Sequence, residues 1–181
     1  MKKIFSVAAS IALIAAAALI SGCAAYTWKP QVPQDMRTVA VPTFRNESSV
    51  TGLAAEITRQ TLREFQREGT FAIRNAGDAA LEVQGIVRDS SSHAVAYGRK
   101  SGERQREYRL KATALVSFID KKSGKVLADN REYRADVTFL AGDDIMTGER
   151  DAAGRLAEEF ARDIVDDALK ILGEERKPAH E

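Results

Sequence analysis

From Tyr108 to Phe118 every second residue is apolar: Tyr108, Leu110, Ala112, Ala114, Val116 and Phe118. Arg109, Lys111, Thr113 and Ser117 lie between them. Alternation of this length asks for a strand with one face in a core and the other in water. It also asks for a second layer, since the apolar face needs a cover. The neighbouring segments behave alike. Leu81, Val83, Gly85 and Val87 alternate with Glu82, Gln84, Ile86 and Arg88, and Tyr133, Ala135, Val137 and Phe139 alternate within Val126–Leu140. Asp120-Lys121-Lys122-Ser123-Gly124 reads as a tight connection between antiparallel partners, with glycine near its end.

Two amphipathic stripes can supply the cover. Residues 52–68 carry Leu53, Ile57, Thr61 and Phe65 at four-residue spacing, and Gly69 suits a left-handed helix end. Residues 149–172 carry Leu156, Phe160, Ile164, Ala168 and Ile171 on one face, with Glu158, Glu159, Arg162, Asp163, Asp166 and Asp167 opposite. Arg37–Phe44 is β-rich, and Pro42 makes it an edge strand or ends it nearby. Phe71 and Ile73 begin a further strand, and Asp89–Gly102 reads as a polar loop. The expected fold is α+β: a small, largely antiparallel or mixed sheet of four to five strands with two α-helices packed on one face.

The first residues read as a targeting segment. Lys2 and Lys3 precede an apolar run from Ile4 to Ile20, which ends in Ser21, Gly22 and Cys23. A cationic start, an apolar stretch and small residues before a cut are the pattern of an export signal. Ile20-Ser21-Gly22-Cys23 matches a bacterial lipobox, in which the thiol takes a diacylglyceryl chain and the new N-terminus can be acylated, for example with palmitate. Two or three chains anchor durably where one is marginal. Cys23 is the sole cysteine, so no internal disulfide competes for it. Ala24 rather than Asp after it leans towards the outer membrane. The expected organisation is a signal peptide over 1–22, a lipidated N-terminus and extended tether over 23–36, a domain over 37–172 and a flexible tail over 173–181. Tyr26 and Trp28 in the tether suit either a membrane surface or packing on the domain.

Charge and chemistry exclude several classes. The chain has 27 basic and 26 acidic residues; two of the lysines belong to the signal, which leaves 25 basic residues beyond it. A near-neutral domain is not a general nucleic-acid binder. His93 and His180 are the only histidines, so no His/Cys metal cluster, no cofactor and no catalytic constellation is expected. Asp143-Asp144 precede a helix start, where acids complement the dipole. Arg99, Lys100, Arg104 and Arg106 form a basic run that suits phosphates or carboxylates, through guanidinium pairing. Ordinary solvated charges explain the same run.

The order of motifs resembles the LPS-assembly lipoprotein LptE family. The lipobox Gly22-Cys23, the strand ending Val39-Ala40-Val41-Pro42-Thr43-Phe44-Arg45-Asn46, the helix directly after it and the Ala80–Ile86 strand carry the likeness. So do Tyr108-Arg109, Tyr133 and the acidic, alanine-rich last helix. The resemblance implies a non-enzymatic lipoprotein on the periplasmic side of the outer membrane. It implies an LptD-type β-barrel and lipopolysaccharide as partners, with a part in inserting lipopolysaccharide into the outer leaflet, and with these partners Arg99, Lys100, Arg104 and Arg106 become candidate contacts to lipopolysaccharide phosphates or to acidic residues of the barrel wall. Another outer-membrane adaptor, such as a secretion or curli-type assembly factor, or a periplasmic lipid-binding lipoprotein, would share the opening strand.

Overall fold

A computed structural model of the chain describes residues 32–100, 103–141 and 144–174, with backbone alone for 96–100 and 103–105. The elements run β1 (Thr38–Ala40), β2 (Arg45–Asn46), α1 (Leu53–Glu68), β3 (Ala72–Ile73), β4 (Leu81–Lys100), β5 (Glu103–Asp120), β6 (Val126–Ala141) and α2 (Ile145–Glu174). The strand order is β3-β1-β4-β5-β6, with β2 also beside β4. β1 is parallel to both β3 and β4, whereas β4, β5 and β6 form an antiparallel meander. The fold is thus α+β, with a mixed sheet and two helices.

The sheet has six strands, more than the four to five expected. Proline accounts for the difference. Pro42 has no N–H to give a ladder, so β1 stops at Ala40 and the chain resumes pairing at Arg45 as β2. A larger correction concerns Asp89–Gly102. Its described part, Asp89–Lys100, is strand: β4 runs on to Lys100, paired with β5 from Val87↔Ala114 out to Lys100↔Glu103. Register shifts at Val87/Asp89 and Ala94/Ala96 absorb one extra residue each.

The helices follow their stripes. α1 buries Leu53, Ile57, Thr61 and Phe65, and Gly69, at φ 83°, closes it by donating its N–H to the Phe65 carbonyl at 3.2 Å. α2 begins one turn earlier than its apolar stripe suggests. The Asp144 carboxylate accepts the N–H groups of Met146 (3.1 Å) and Thr147 (3.2 Å) and the Thr147 hydroxyl (2.6 Å), which satisfies donors of the first turn. Asp143 lies outside the described residues.

Both helices cover one sheet face. α2 lies over β6 and β5, and α1 packs beside α2 against β2, β3 and β4. The core between the layers holds Leu81, Val83, Leu110, Val116 and Phe118 from the sheet and Leu156, Phe160 and Ile164 from α2. Val32 and Met36, from the segment assigned to the tether, are also buried in this core. The Phe44 ring fills the space above Gly85, where a Cβ would fall 2.3 Å from the ring carbons. Phe44 donates its N–H to Thr58 Oγ1 at 2.9 Å, and that hydroxyl donates to the Ala54 carbonyl at 2.8 Å. The β1–β2 connection is thereby tied to α1 by an aromatic contact and a buried hydrogen bond.

Candidate functional site

The face of the meander away from the helices carries no covering element among the described residues. Its rows follow the register: Ile86–Leu115–Glu132, Asp89–Thr113–Arg134, Ser91–Lys111–Asp136 and His93–Arg109–Thr138. Charges of both signs are interleaved. Arg109 reaches Asp136 at 3.5 Å, Arg134 pairs with Glu132, and Arg88 reaches Glu47 at 3.2 Å. Each of these ions is partly exposed, so the pairs fix side-chain direction more than they stabilise.

One end of this face is tied by side-chain hydrogen bonds and an ion pair. Lys121 holds the buried Glu82 carboxylate at 2.6 Å, and Gln84 donates to the same carboxylate at 2.6 Å. Gln84, then Lys121, hold the Glu82 carboxyl below its ordinary range. The β5–β6 turn is built on Asp120, which accepts the Ser123 hydroxyl (2.6 Å) and the Lys122 N–H (2.8 Å). Those bonds, led by Ser123, depress its pKa. In β6 the register steps from Arg131 to Ala128 while β5 advances from Val116 to Phe118. The bulge this creates centres on Asn130, at φ 48°, whose N–H donates to Ser117 Oγ at 2.9 Å.

β6 is the free edge of the meander, and α2 guards it. Arg155 donates to the outward Thr138 carbonyl at 3.0 Å. Asp167 turns to β6: it accepts the Tyr133 hydroxyl at 2.8 Å and pairs with Arg131 at 3.3 Å. The acidic face assigned to α2 is therefore not wholly solvated, because Asp167 bridges helix and strand. Burial, then the Asp167 hydrogen bond and charge, raise the Tyr133 phenol far above its usual range.

At the opposite end from the β5–β6 turn, apolar side chains reach solvent. Leu140 is 63 % exposed and Met146 73 %, and Val95 and Ile145 are also exposed. Sequence carried one signal for this: Leu140 occupies a position of β6 whose alternation otherwise gives Glu132, Arg134, Asp136 and Thr138. Behind this corner a groove of about 1250 Å³ opens between the starts of α1 and α2. Gly52, Leu53, Arg59, Phe139, Met146 and Arg150 are among its lining.

The basic candidates fall at this same end. Arg99 stands opposite Arg104 and Arg106 opposite both Tyr97 and Ala141, on the ribbon where β4 and β5 pass β6. The Arg106 side chain is exposed, and the side chains of Arg99, Lys100 and Arg104 lie outside the described residues, as does Cys23 with the whole signal segment. Among the described residues no group of three or more His, Cys, Asp or Glu could hold a metal, and no helix is long and apolar enough to cross a membrane.

Comparison with known proteins adds to this geometry. The family model described as LptE, lipopolysaccharide-assembly, matches residues 36–168. A Helicobacter pylori protein described as a homologue of neuraminyllactose-binding hemagglutinin has a similar structure, at TM-score 0.50 and 11% identity over 80% of this chain and 94% of that one. A hypothetical protein from Chlamydia trachomatis gives TM-score 0.49 and 13% identity, over 75% of this chain and 96% of that one. A Caulobacter crescentus protein described as a lipoprotein gives TM-score 0.42 and 18% identity, over 76% of this chain and 94% of that one. At such identities the likeness to the Helicobacter protein speaks for the fold alone. No curated protein matches in sequence.

Proposed function

The chain belongs to the LptE lipopolysaccharide-assembly family, and from that premise we propose that it is the lipoprotein partner of an LptD-type outer-membrane β-barrel, assisting the insertion of lipopolysaccharide. The observation that carries the reading is the family match over residues 36–168, which spans both helices and every strand but for the last turns of α2. Cys23 then carries the lipid that holds the chain on the periplasmic side of the outer membrane. The protein works by binding, with no cofactor and no chemical step of its own.

The uncovered sheet face supports this reading physically. Barrel interiors are polar, and a plug that docks against such a wall needs polar, mixed-charge contacts. The rows from Asp89 to Arg134 and from His93 to Thr138 offer them.

The test is a pull-down of the full chain from detergent-solubilised membranes. A large outer-membrane barrel is expected to copurify in stoichiometric amount, and depletion is expected to lower surface lipopolysaccharide. Loss of secretion or of surface fibres with normal lipopolysaccharide would overturn the reading in favour of another adaptor.

A further inference from the structure

The segment that enters the domain fixes which end of the sheet lies near a membrane. Val32 is 1 % exposed and Met36 8 %, and Arg37 Nε donates to the Val32 carbonyl at 3.2 Å. The chain is therefore fastened to the domain from Val32 onward. Cys23 stands nine positions before Val32, and nine extended residues span at most about 32 Å. A lipid on Cys23 keeps this end of the sheet within that distance of the leaflet that holds it.

The β5–β6 turn lies beside the fastened segment, where Lys122 reaches Asp35 at 3.4 Å. Positions 121–126 are all exposed and read Lys121, Lys122, Ser123, Gly124, Lys125 and Val126. The tip thus offers ammonium groups, small residues and one apolar side chain, and no acid. The nearest acids are engaged. Asp120 accepts the Ser123 hydroxyl and the Lys122 N–H inside the turn, and the buried Glu82 is held by Lys121. Asp35 and Asp78 stay exposed beside the turn, so the attraction belongs to the turn itself and not to the whole end. The Asp35–Lys122 pair joins two exposed groups, and such a pair holds its partners only weakly. Lysines next to an exposed valine suit an anionic headgroup layer, where stems lie along apolar material and charges meet phosphates. A single valine is too little apolar area for a stable protein interface.

We infer that the β5–β6 turn is a second membrane contact, in which Lys122, Lys125 and Val126 settle among anionic phospholipid headgroups of the leaflet that holds the Cys23 lipid. This rests on the proposed lipid at Cys23 and goes beyond it, because an anchor alone leaves the domain free to swivel on its tether. Two contacts orient the sheet, with the β5–β6 turn on the leaflet and the β4–β5 ribbon directed away. Lys121 contributes less, since it is committed to Glu82. The short tether keeps headgroups at high local concentration around the turn, so contacts that are weak singly suffice.

The experiment uses the full chain, purified from membranes in detergent and reconstituted into phosphatidylcholine vesicles with or without phosphatidylglycerol. Val126→Cys carries an apolar fluorophore at the turn. Leu140→Cys carries the same fluorophore opposite Glu107, thirteen residues of β5 from Asp120, roughly 43 Å at a strand's ~3.3 Å per residue. Both sites are exposed, and a lipidated Cys23 has no free thiol to compete for the label. A spin-labelled phospholipid in the vesicles quenches fluorophores at the bilayer surface. With phosphatidylglycerol present, the turn label is expected to be quenched several-fold more than the far label. Lys122→Glu with Lys125→Glu should lower occupancy of the contact roughly tenfold or more, and thermal unfolding confirms that this variant folds. Salt at about 1 M, where the screening length is about 3 Å, should release the turn while the chain stays on the vesicle. Equal quenching at the two sites overturns the contact. So does turn quenching that survives charge reversal or the omission of phosphatidylglycerol, since the tether alone would then explain it. Intact mass of the same preparation reads the lipid. A lipidated chain with an unquenched turn sinks only the contact, whereas a chain without lipid mass sinks the anchor reading and the contact together.

Discussion

Phe44 lies over Gly85 so closely that a Cβ at position 85 would sit 2.3 Å from its ring carbons. The residue without a side chain lies in β4, and the aromatic that covers it lies in the connection between β1 and β2. Together they let the β1–β2 connection press closely on the first part of β4. Gly85→Ala forces the ring out of a buried site and is expected to cost about 1–3 kcal/mol, as overpacked cores do. Phe44→Ala leaves a cavity and should cost about 3–5 kcal/mol. Urea unfolding of the two single variants and the double variant checks this. If the clash is the cause, Gly85→Ala adds little once Phe44 is already alanine.

Thr58 holds the same connection from the helix side. Its hydroxyl is the acceptor for the buried Phe44 N–H. Thr58→Val keeps the shape and strands that donor, at a cost of about 1–3 kcal/mol. Thr58→Ser keeps the hydroxyl and should cost less. Equal unfolding midpoints for the Val and Ser variants would contradict the role of this hydrogen bond.

Tyr133 and Asp167 join β6 to α2, and their link has a pH signature. The folded phenol titrates well above its ordinary value of 10.0, because burial and the Asp167 carboxylate disfavour the phenolate. A raised pKa contributes stability that is complete below the unfolded value and is lost as pH rises towards the folded one. Parent stability should therefore fall above about pH 10 more steeply than that of Tyr133→Phe. At neutral pH the Phe variant lacks a hydrogen bond to a charged acceptor and is expected to be about 1–3 kcal/mol less stable. Urea midpoints from pH 7 to 11 read both effects.

Glu82 gives the opposite sign. Its folded pKa is depressed by Gln84 and Lys121 below the ordinary 4.5. The stabilisation is present above that value and is lost as pH falls through the depressed one. Glu82→Gln should flatten the acid limb of the stability curve while leaving the alkaline limb as it is. Asp120 and Asp144 have lowered values as well, so some acid dependence should persist in the variant.

Elements with a strong apolar period were legible in the sequence. The stripe Leu53–Ile57–Thr61–Phe65 and its closing Gly69 mark α1 to within a residue, and the alternation from Tyr108 to Phe118 marks the body of β5. The outer half of β4 was not legible. Asp89, Ser90, Ser91 and Ser92 have no apolar alternation and weak strand propensity, and they are strand because β5 supplies the pairing. Ser90 shows the compensation. It is buried, and its hydroxyl accepts the Val50 N–H at 3.1 Å. Asp167 was hidden for a different reason: helical period places it on the polar face, and only the lateral overhang of α2 on β6 brings it to Tyr133. The basic positions 99, 100, 104 and 106 form a charged run in the sequence, but their arrangement across a two-stranded ribbon depends on a register that sequence does not state.

The place of α2 at the very end of the core has a consequence for how the protein comes into being. A chain is made from its N-terminus, so β4, β5 and β6 can pair while α2 is still unmade. Until that last helix arrives, Leu110, Val116 and Phe118 line a sheet face with half its roof missing. β1 faces a similar wait, since its two neighbours, β3 and β4, both follow it in the chain. The unfinished protein is thus obliged to carry an open apolar surface until α2 docks. Docking of the thirty residues of α2 is what turns a sticky precursor into a finished particle.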